Sequence, residues 1–485
     1  MVCAVLRARR GGAPMTAQEW RGQTRGTARH VLIVGGGASG VLMAVHLLAQ
    51  SGEAFHVTLV ERRRRLGRGI AYSTMAPDHL LNTRVHNMSA FPDDPDHFRD
   101  WLARRPVGAG TSGDSFVSRS TYGAYLSSLL SSWRRIGFAR RITCVTAECL
   151  RLEPIGRGVA AHFSDGSVRL ADVAILATGH AERDTQPLAN PWTPVTAALH
   201  ERVALVGTGL TMVDQVVSLL KAGHQGEIVA LSRRGLLPHG HRPTRPLQLG
   251  IEDLPLGAPP SAILRWLRRL ARDAEAQGGT WRDAVDGVRP FVRCLWRRMT
   301  QGDRSRFLRH GLAWWDIHRH RIPPASEDLI AAALASGQLR LLRAGFERAE
   351  RVPEGLRLHL RPRGGASGST TLDCAVAIDC RGILSDPQAH ASPLVADLLA
   401  KGVARVDPLR IGLEVTLDCR VVDARGRASD RILAIGPASR AGFWEITAIP
   451  DIREQVARLS ARLAEEAGAC ADAGSAGNRR HPGRV

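Results

Sequence analysis

A glycine-rich loop near the start of the chain is the first segment whose residue types and spacing point to chemistry. Gly35, Gly37 and Gly40 follow an apolar run in the order G-x-G-x-x-G and open a helix-like run. The first glycine permits a tight turn, the second lets the backbone approach a pyrophosphate, and the third lets a helix pack closely on a strand. The N-terminus of that helix, which includes Ser39, presents N–H groups to phosphates. Glu61 ends the next predicted strand, where a carboxylate can bind ribose hydroxyls, so these residues predict a dinucleotide site.

A second loop of this kind begins at Gly207 and Gly209, about 170 residues further along the chain. Met212 occupies the position of the third glycine, so the helix and the strand must stand slightly further apart here. Arg233 and Arg234 follow the next predicted strand, where an arginine accommodates the 2′-phosphate of NADP and an acid favours the free hydroxyl of NAD. The second loop therefore favours NADP(H) over NAD(H). A loop that binds no dinucleotide is the remaining alternative, because arginine is common throughout this chain.

Two nucleotides held face to face are what hydride transfer from a nicotinamide to a flavin requires. The eight cysteines form no C-x-x-C pair, which argues against a redox-active disulfide. Their spacing gives no zinc signature and fits a reducing compartment, so we expect a cytoplasmic protein.

The elements around these loops predict an α/β fold with two Rossmann-like dinucleotide-binding domains. Each loop lies in a strand–helix–strand pattern, and the first domain is expected to be split by the second, which carries a helical insertion. The predicted segments are a disordered basic tail at 1–28, the first domain at 29–195, the second domain at 196–375 with its insertion at about 250–326, the rest of the first domain at 376–467, and a disordered tail at 468–485.

Composition and charge exclude several other classes of protein. Lysine occurs only twice, and the arginines that produce the net charge of +20 are spread along the whole chain. Nucleic-acid-binding proteins concentrate such charge in a patch or stripe, so no nucleic-acid partner is expected. No run of eighteen apolar residues is present, so no transmembrane helix and no membrane partner are expected.

Five residues between positions 239 and 320 could suggest a metal site. His239 and His241 form one H-x-H pair, and Asp316, His318 and His320 form a second group. Such pairs can chelate a metal ion, but no carboxylate–histidine helix motif accompanies them. Flavin chemistry needs no metal, and we therefore predict none.

The chain resembles the bacterial FAD/NAD(P)-binding oxidoreductase family, which is distantly related to flavin-containing and N-hydroxylating monooxygenases. The resemblance extends from about residue 30 to residue 465 and rests on segments 34–40, 69–73, 79–82, 88–92, 122–126, 177–179, 207–214, 314–321 and 443–455. It implies that Gly179 marks where the chain leaves the FAD domain. It also implies that Gly436 and the start of the helix at Asp451 lie near the isoalloxazine ring, where N–H groups stabilise negative charge on reduced flavin.

Together these features predict an FAD-dependent, NAD(P)H-using oxidoreductase of monooxygenase type. NADPH would reduce the flavin, O₂ would form a flavin hydroperoxide, and a small-molecule nucleophile such as an amine would take the oxygen. Because the cofactor performs this chemistry, no catalytic side chain is assigned. Two alternatives remain open: an NAD(P)H-dependent reductase or oxidase that passes electrons to a partner, and a flavin-binding regulatory protein without turnover.

Overall fold

The structure is a computed structural model that contains two six-stranded sheets and one three-stranded sheet. It describes residues 28–50, 54–134, 141–181, 183–193, 195, 197–363, 368–382 and 386–477, with side chains up to residue 468. The predicted N-terminal tail lies outside the described residues except for residue 28. Within the described ranges, no helix is both long and apolar enough to cross a membrane.

The first part of the chain builds most of one sheet and the three-stranded sheet. Its strands are β1 (Arg29–Val34), β2 (Phe55–Glu61), β3 (Ile142–Thr146), β4 (Cys149–Ile155), β5 (Gly158–Phe163), β6 (Val168–Ala171) and β7 (Val173–Leu176). Its helices are α1 (Ala38–Ala49), α2 (His97–Ala103) and α3 (Arg119–Leu129).

The middle of the chain builds the second six-stranded sheet and a group of helices. Its strands are β8 (Val203–Val206), β9 (Ile228–Ser232), β10 (Leu339–Val352), β11 (Gly355–Pro362), β12 (Thr370–Cys374) and β13 (Val376–Asp379). Its helices are α4 (Leu210–Lys221), α5 (Pro260–Ala276), α6 (Trp281–Val288), α7 (Val292–Arg298), α8 (Gln301–His310), α9 (Leu312–Arg319) and α10 (Pro324–Ala335).

The end of the chain returns to the first sheet. It contributes α11 (Pro393–Ala400), β14 (Arg420–Val422), β15 (Ala428–Ala434) and α12 (Ile449–Gly477). Strand β15 pairs in parallel with β7, so the first sheet has the order β14–β15–β7–β1–β2–β3. The predicted α/β class with parallel sheets, and a first domain split by the second, are therefore confirmed.

The two sheets share one arrangement around their central strands. Strand β1 lies between β2 and β7 and is parallel to both, and β8 lies in the same way between β9 and β13. All residues of β8 and the last four residues of β1 are buried. Both segments are continuous apolar runs, as expected of strands that are covered on both faces. In each domain an antiparallel meander precedes the strand that returns to pair with the central strand. The meander is β4–β6 before β7 in the first domain, and β10–β12 before β13 in the second.

Two predicted boundaries are wrong. Strand β13 pairs with β8, so the second domain extends past residue 375 to at least Asp379. The last three residues of β13 are buried in the second sheet. Helix α12 continues to Gly477, through part of the segment that was predicted to be disordered from residue 468, and residues 478–485 lie outside the described part.

The helices α5 to α9 form an insertion between β9 and α10 that packs against the first domain. The rings of Trp296 in α7 and Trp444 are stacked with centroids 4.1 Å apart, and Ile411 completes this small core. Aromatic pairs of this kind contribute more than the area they bury, by about 0.5–1.5 kcal/mol. The insertion is thereby fixed to the segment that precedes α12.

Two glycines of the second loop make a matched pair for a stability test. Gly207 has φ +123°, and a Cβ there would lie 2.3 Å from the carbonyl oxygen of Cys380, whereas a Cβ at Gly209 would meet nothing within 4 Å. We expect Gly207→Ala to lower the free energy of unfolding by roughly 2–4 kcal/mol through backbone strain and overpacking. Gly209→Ala should cost less than about 1 kcal/mol, since it changes only a helix cap. Urea unfolding of both variants checks this, and equal losses would contradict it.

Candidate functional site

A cleft of about 520 Å³, here called the first cleft, opens at the carboxyl ends of β1, β2 and β7. Strand β1 is followed along the chain by β2 on one side, while β7 comes much later on the other side. Ligands of open α/β sheets bind at such a switch point, outside the carboxyl ends of the strands. The topology therefore places a ligand site where the first glycine loop lies.

Three glycines of the first loop, Gly35, Gly36 and Gly40, have no room for a Cβ atom. Gly35 has φ +108°, and a Cβ there would lie 2.3 Å from the carbonyl oxygen of Ala177. A Cβ at Gly40 would lie 1.8 Å from the carbonyl oxygen of Gly35, so the third glycine allows α1 to approach β1 as predicted. Gly36, which the G-x-G-x-x-G pattern leaves free, is equally confined, because a Cβ there would lie 2.6 Å from Leu66.

The carboxylate of Glu61 holds the first loop in place. Its Oε2 accepts a hydrogen bond of 2.8 Å from the N–H of Gly36, and its Oε1 accepts one of 2.9 Å from the N–H of Arg63. Glu61 lines the cleft, and each of its carboxylate oxygens can accept a further hydrogen bond. It can therefore still accept hydrogen bonds from ribose hydroxyls, as predicted.

A segment that follows β2 closes over the loop and brings an arginine into the cleft. The N–H of Gly67 donates to the carbonyl oxygen of Gly36 at 2.7 Å, and a Cβ at Gly37 would lie 3.4 Å from Gly69. Arg68 lines the cleft, and its Nη1 is buried without a hydrogen-bond partner. Burial, followed by the charge of Arg65, lowers the pKa of Arg68. A phosphate group in the cleft would satisfy this guanidinium, which sequence reasoning missed.

The other end of the first cleft is built from the ends of β7 and β15. Gly179, at φ +71°, and His180 line it, and burial lowers the pKa of His180 to about 4. Gly436 has φ +57°, and a Cβ there would lie 2.3 Å from the Oγ of Ser39. The predicted residues Ser39 and Gly436 therefore meet, and their contact joins the first loop to the end of β15. Ser39 also lines the cleft, whereas Gly436 lies behind it.

The start of α12 lies at the first cleft, but the side chain of Asp451 does not line it. Ile449 and Ile452 line the first cleft, and they lie three residues apart on one face of α12. Asp451 lies on another face of that helix, where its carboxylate is 3.9 Å from the guanidinium of Arg289. The start of α12 thus approaches the cleft through apolar side chains and not through Asp451.

A polar cluster joins helix α9 of the insertion to Glu445, in the segment that precedes α12. The indole N–H of Trp315 donates to Glu445, and Arg319 lies 3.4 Å from the same carboxylate. Burial raises the pKa of Asp316 to about 6, and the charge of Glu445 adds to this effect. Burial also lowers the pKa of Arg440, which lines the cleft. A carboxyl group with such a pKa can hold or release a proton near neutral pH.

The second glycine loop repeats the geometry of the first. The N–H of Gly207 donates to the carbonyl oxygen of Leu231 at 2.8 Å, as that of Gly35 donates to Val60 at 2.9 Å. The hydroxyl of Thr208 donates to the carbonyl oxygen of Leu236 at 2.6 Å and so fixes the loop. Gly209 is open to solvent on the side where a ligand would approach, since its Cβ position is free.

The two predicted phosphate-binding arginines have different surroundings. Arg234 donates to the carbonyl oxygens of Arg309 and His310 at 3.1 and 3.0 Å, so its guanidinium binds the C-terminus of α8. These two bonds use two of its five N–H donors and hold it at the end of α8, so its phosphate-binding role stays a prediction. Arg233 is exposed and forms no hydrogen bond or ion pair with any described residue, which leaves it as the candidate for a 2′-phosphate.

Helix α4 follows the second loop and contacts the first domain through two polar pairs. Asp214 is buried and lies 3.0 Å from the guanidinium of Arg119 in α3. The imidazole Nε2 of His79 lies 2.7 Å from the hydroxyl of Ser218. Burial raises the pKa of Asp214, and the charge of Arg119 opposes that shift. These contacts set the distance between the two glycine loops.

The histidines weighed as metal ligands make other contacts. The rings of His239 and His318 lie 4.8 Å apart and both pack against Trp281, and His241 binds the carbonyl oxygen of Asn82 at 3.0 Å. Burial lowers the pKa of His320 to about 3. In the described ranges, no three histidine, cysteine or acidic side chains are grouped so that they could hold a metal ion.

Comparisons with known proteins agree with this geometry. Residues 32–181 match a family model described as FAD-NAD(P)-binding, which confirms the predicted class of cofactor for that part of the chain. No curated protein matches the sequence.

Among the solved structures that resemble this chain are hydroxylases and a flavin monooxygenase, all at low identity. The reduced form of an ornithine hydroxylase from Pseudomonas aeruginosa is 16% identical with a TM-score of 0.59, over 90% of this chain and 99% of that one. An ornithine N-hydroxylase from Kutzneria sp. 744, with reduced FAD, NADP⁺ and L-ornithine, is 15% identical with a TM-score of 0.58 over the same shares. A flavin monooxygenase from Stenotrophomonas maltophilia is 14% identical with a TM-score of 0.50, over 90% and 99%. The predicted resemblance is confirmed, and the chain has the fold of these oxidoreductases.

Arg68 gives a direct test of the first cleft. Arg68→Met keeps the length of the side chain but removes the donors that lack a partner, so we expect FAD to bind about ten- to a hundredfold more weakly. Arg65→Met is the matched control, because Arg65 is exposed and does not line the cleft. Fluorescence titration of the apoprotein with FAD measures both. Equal affinities in the two variants would remove Arg68 from the site.

Proposed function

We propose that this protein is an FAD-dependent, NADPH-using monooxygenase that acts on a small molecule. One observation carries the proposal: a ligand cleft with a confined glycine loop lies at the switch point of the first sheet, and the same loop recurs in an inserted second domain. Two such sites in one chain suit a flavin and the nicotinamide that reduces it. The fold shared with flavin-dependent monooxygenases supports this choice over other pairs of nucleotides.

In this proposal FAD occupies the first cleft. The N–H groups at the start of α1 and the guanidinium of Arg68 bind the pyrophosphate, and Glu61 binds the ribose next to adenine. Gly179 and the apolar side chains of Ile449 and Ile452 face the flavin. The residues fit the group because the unpartnered Arg68 requires an anion and the loop has no side chain in the way.

NADPH occupies the open second loop beside Gly209. The exposed guanidinium of Arg233 binds the 2′-phosphate, in place of the acid that a free hydroxyl would favour. No side chain of the described residues pairs with Arg233, so its charge is available to a ligand.

The substrate enters between the first cleft and helix α9. Asp316 would hold or release the proton that the reaction exchanges, because Arg440 of the cleft wall is close enough to affect its pKa, which burial raises to about 6. When bound, the flavin supplies the redox chemistry. The acidic side chain of Asp316 favours an amine as the substrate.

Arg233 and Arg234 give a matched test of nucleotide choice. Arg233→Ala should raise the KM for NADPH about tenfold and change the KM for NADH less than twofold, because only NADPH carries the phosphate. Arg234→Ala should instead lower the melting temperature, because it removes donors from the end of α8. Steady-state NAD(P)H oxidation and thermal unfolding separate the two. A loss of NADPH preference in Arg234→Ala alone would assign the phosphate to that residue.

The finer part of the proposal, oxygen transfer through a flavin hydroperoxide, is tested by rapid mixing. FAD-loaded protein reduced with NADPH and mixed with O₂ should show a transient absorbance distinct from reduced and oxidised flavin. Candidate amines should shorten its lifetime and increase oxygen uptake. Direct reoxidation without a transient, together with electron delivery to an added acceptor, would favour a reductase, and no NADPH oxidation at all would favour a regulatory protein.

A further inference from the structure

A second cleft, of about 680 Å³, lies between the helical insertion and helix α12. It shares no lining residue with the first cleft, but residues 443–451 separate the two. Its walls carry six arginines: Arg289, Arg293, Arg297, Arg453, Arg458 and Arg462. An adjoining cleft of about 560 Å³ shares two of them and adds Arg298. So many guanidinium groups in one concavity repel one another unless anions lie among them.

The acidic side chains in the second cleft do not balance these arginines. The carboxylate of Asp418 lies 3.0 Å from Arg462, and that of Asp451 lies 3.9 Å from Arg289. Glu445 is engaged by the insertion, as described above, and Glu454 forms no ion pair with any described residue. Each acidic side chain of the cleft therefore either already forms an ion pair or, like Glu454, is exposed.

Four arginines remain without an acidic partner among the described residues: Arg293, Arg297, Arg453 and Arg458. Arg293 and Arg297 lie four residues apart on α7, so their side chains lie on the same face of the helix. The guanidinium of Arg293 also lies 5.8 Å from the ring centroid of Phe443, which forms part of the wall. A planar fork of donors of this kind binds phosphate and carboxylate in a bidentate manner.

A fourth arginine, half-buried, also indicates a ligand in this cleft. Arg453 donates to the carbonyl oxygens of Asn87 and Ser89, but its Nε is buried without a hydrogen-bond partner. An unpaired charged donor is costly, and a ligand oxygen would satisfy it.

We propose that the second cleft binds a small, multiply charged oxyanion such as a phosphate ester or a polycarboxylate. Its volume lies in the range of small-molecule sites. The guanidinium groups converge in a concavity and do not form a stripe along the surface, which favours a small ligand over a polymer. The site does not depend on the proposed function, because none of its residues lies on the first cleft or the second loop.

Calorimetric titration of the purified full-length protein with pyrophosphate, and separately with citrate, tests this at fixed ionic strength. We expect saturable binding of one or both, with an affinity that falls at least about tenfold in Arg293→Ala/Arg297→Ala. The tighter of the two probes identifies phosphate or carboxylate as the preferred group.

The control variant is Arg265→Ala/Arg269→Ala on α5. These arginines are exposed, lie outside the cleft and have the same spacing and charge, so their replacement should leave the affinity unchanged. Arg233→Ala should also leave it unchanged, which separates this site from that of the NADPH phosphate. Absence of saturable binding, or an equal loss in the α7 and α5 variants, would overturn the proposal.

Discussion

The close approach of a glycine to the neighbouring strand is the contact on which both candidate nucleotide sites depend. At Gly35 and at Gly207 the Cβ position is 2.3 Å from a carbonyl oxygen of the returning strand. Only glycine fits at this position, and it allows the loop to turn sharply, so that the following helix begins at the edge of the sheet. In each domain the meander and the returning strand complete this contact, so the site is assembled by residues far apart in the sequence.

The segment 443–451 connects the parts of the molecule. One of its faces lines the first cleft, the other lines the second cleft, and Trp444 holds the insertion through Trp296. Glu445, at φ +65°, is bound by Trp315 and Arg319 from the insertion. A displacement of this segment on the side of one cleft therefore moves side chains that pack on its other side, because close-packed interiors transmit small displacements.

The sequence predicts the strand–loop–helix units well, because their glycine spacing and apolar runs are local. It predicts strand pairing and side-chain partners between distant parts of the chain less well. The run at Val376 is apolar in either sheet, so only pairing with β8 decides its domain. Arg234 and Asp451 have the residue types that nucleotide sites require, but their partners, the end of α8 and Arg289, come from other elements. Arg68 carries no motif, and its role is visible only once its Nη1 is seen to be buried and unpartnered.

The hydrogen bond from Gly36 to Glu61 has a consequence for how tightly a ligand can be retained. The loop is already shaped by contacts within the protein, among them those of Gly67 and Ser39. A ligand that enters need not order it, so little conformational entropy is lost on binding and more of the contact free energy appears as affinity. A preorganised site of this kind releases its ligand slowly, as suits a resident prosthetic group, whereas the open position beside Gly209 suits a nucleotide that exchanges in every catalytic cycle.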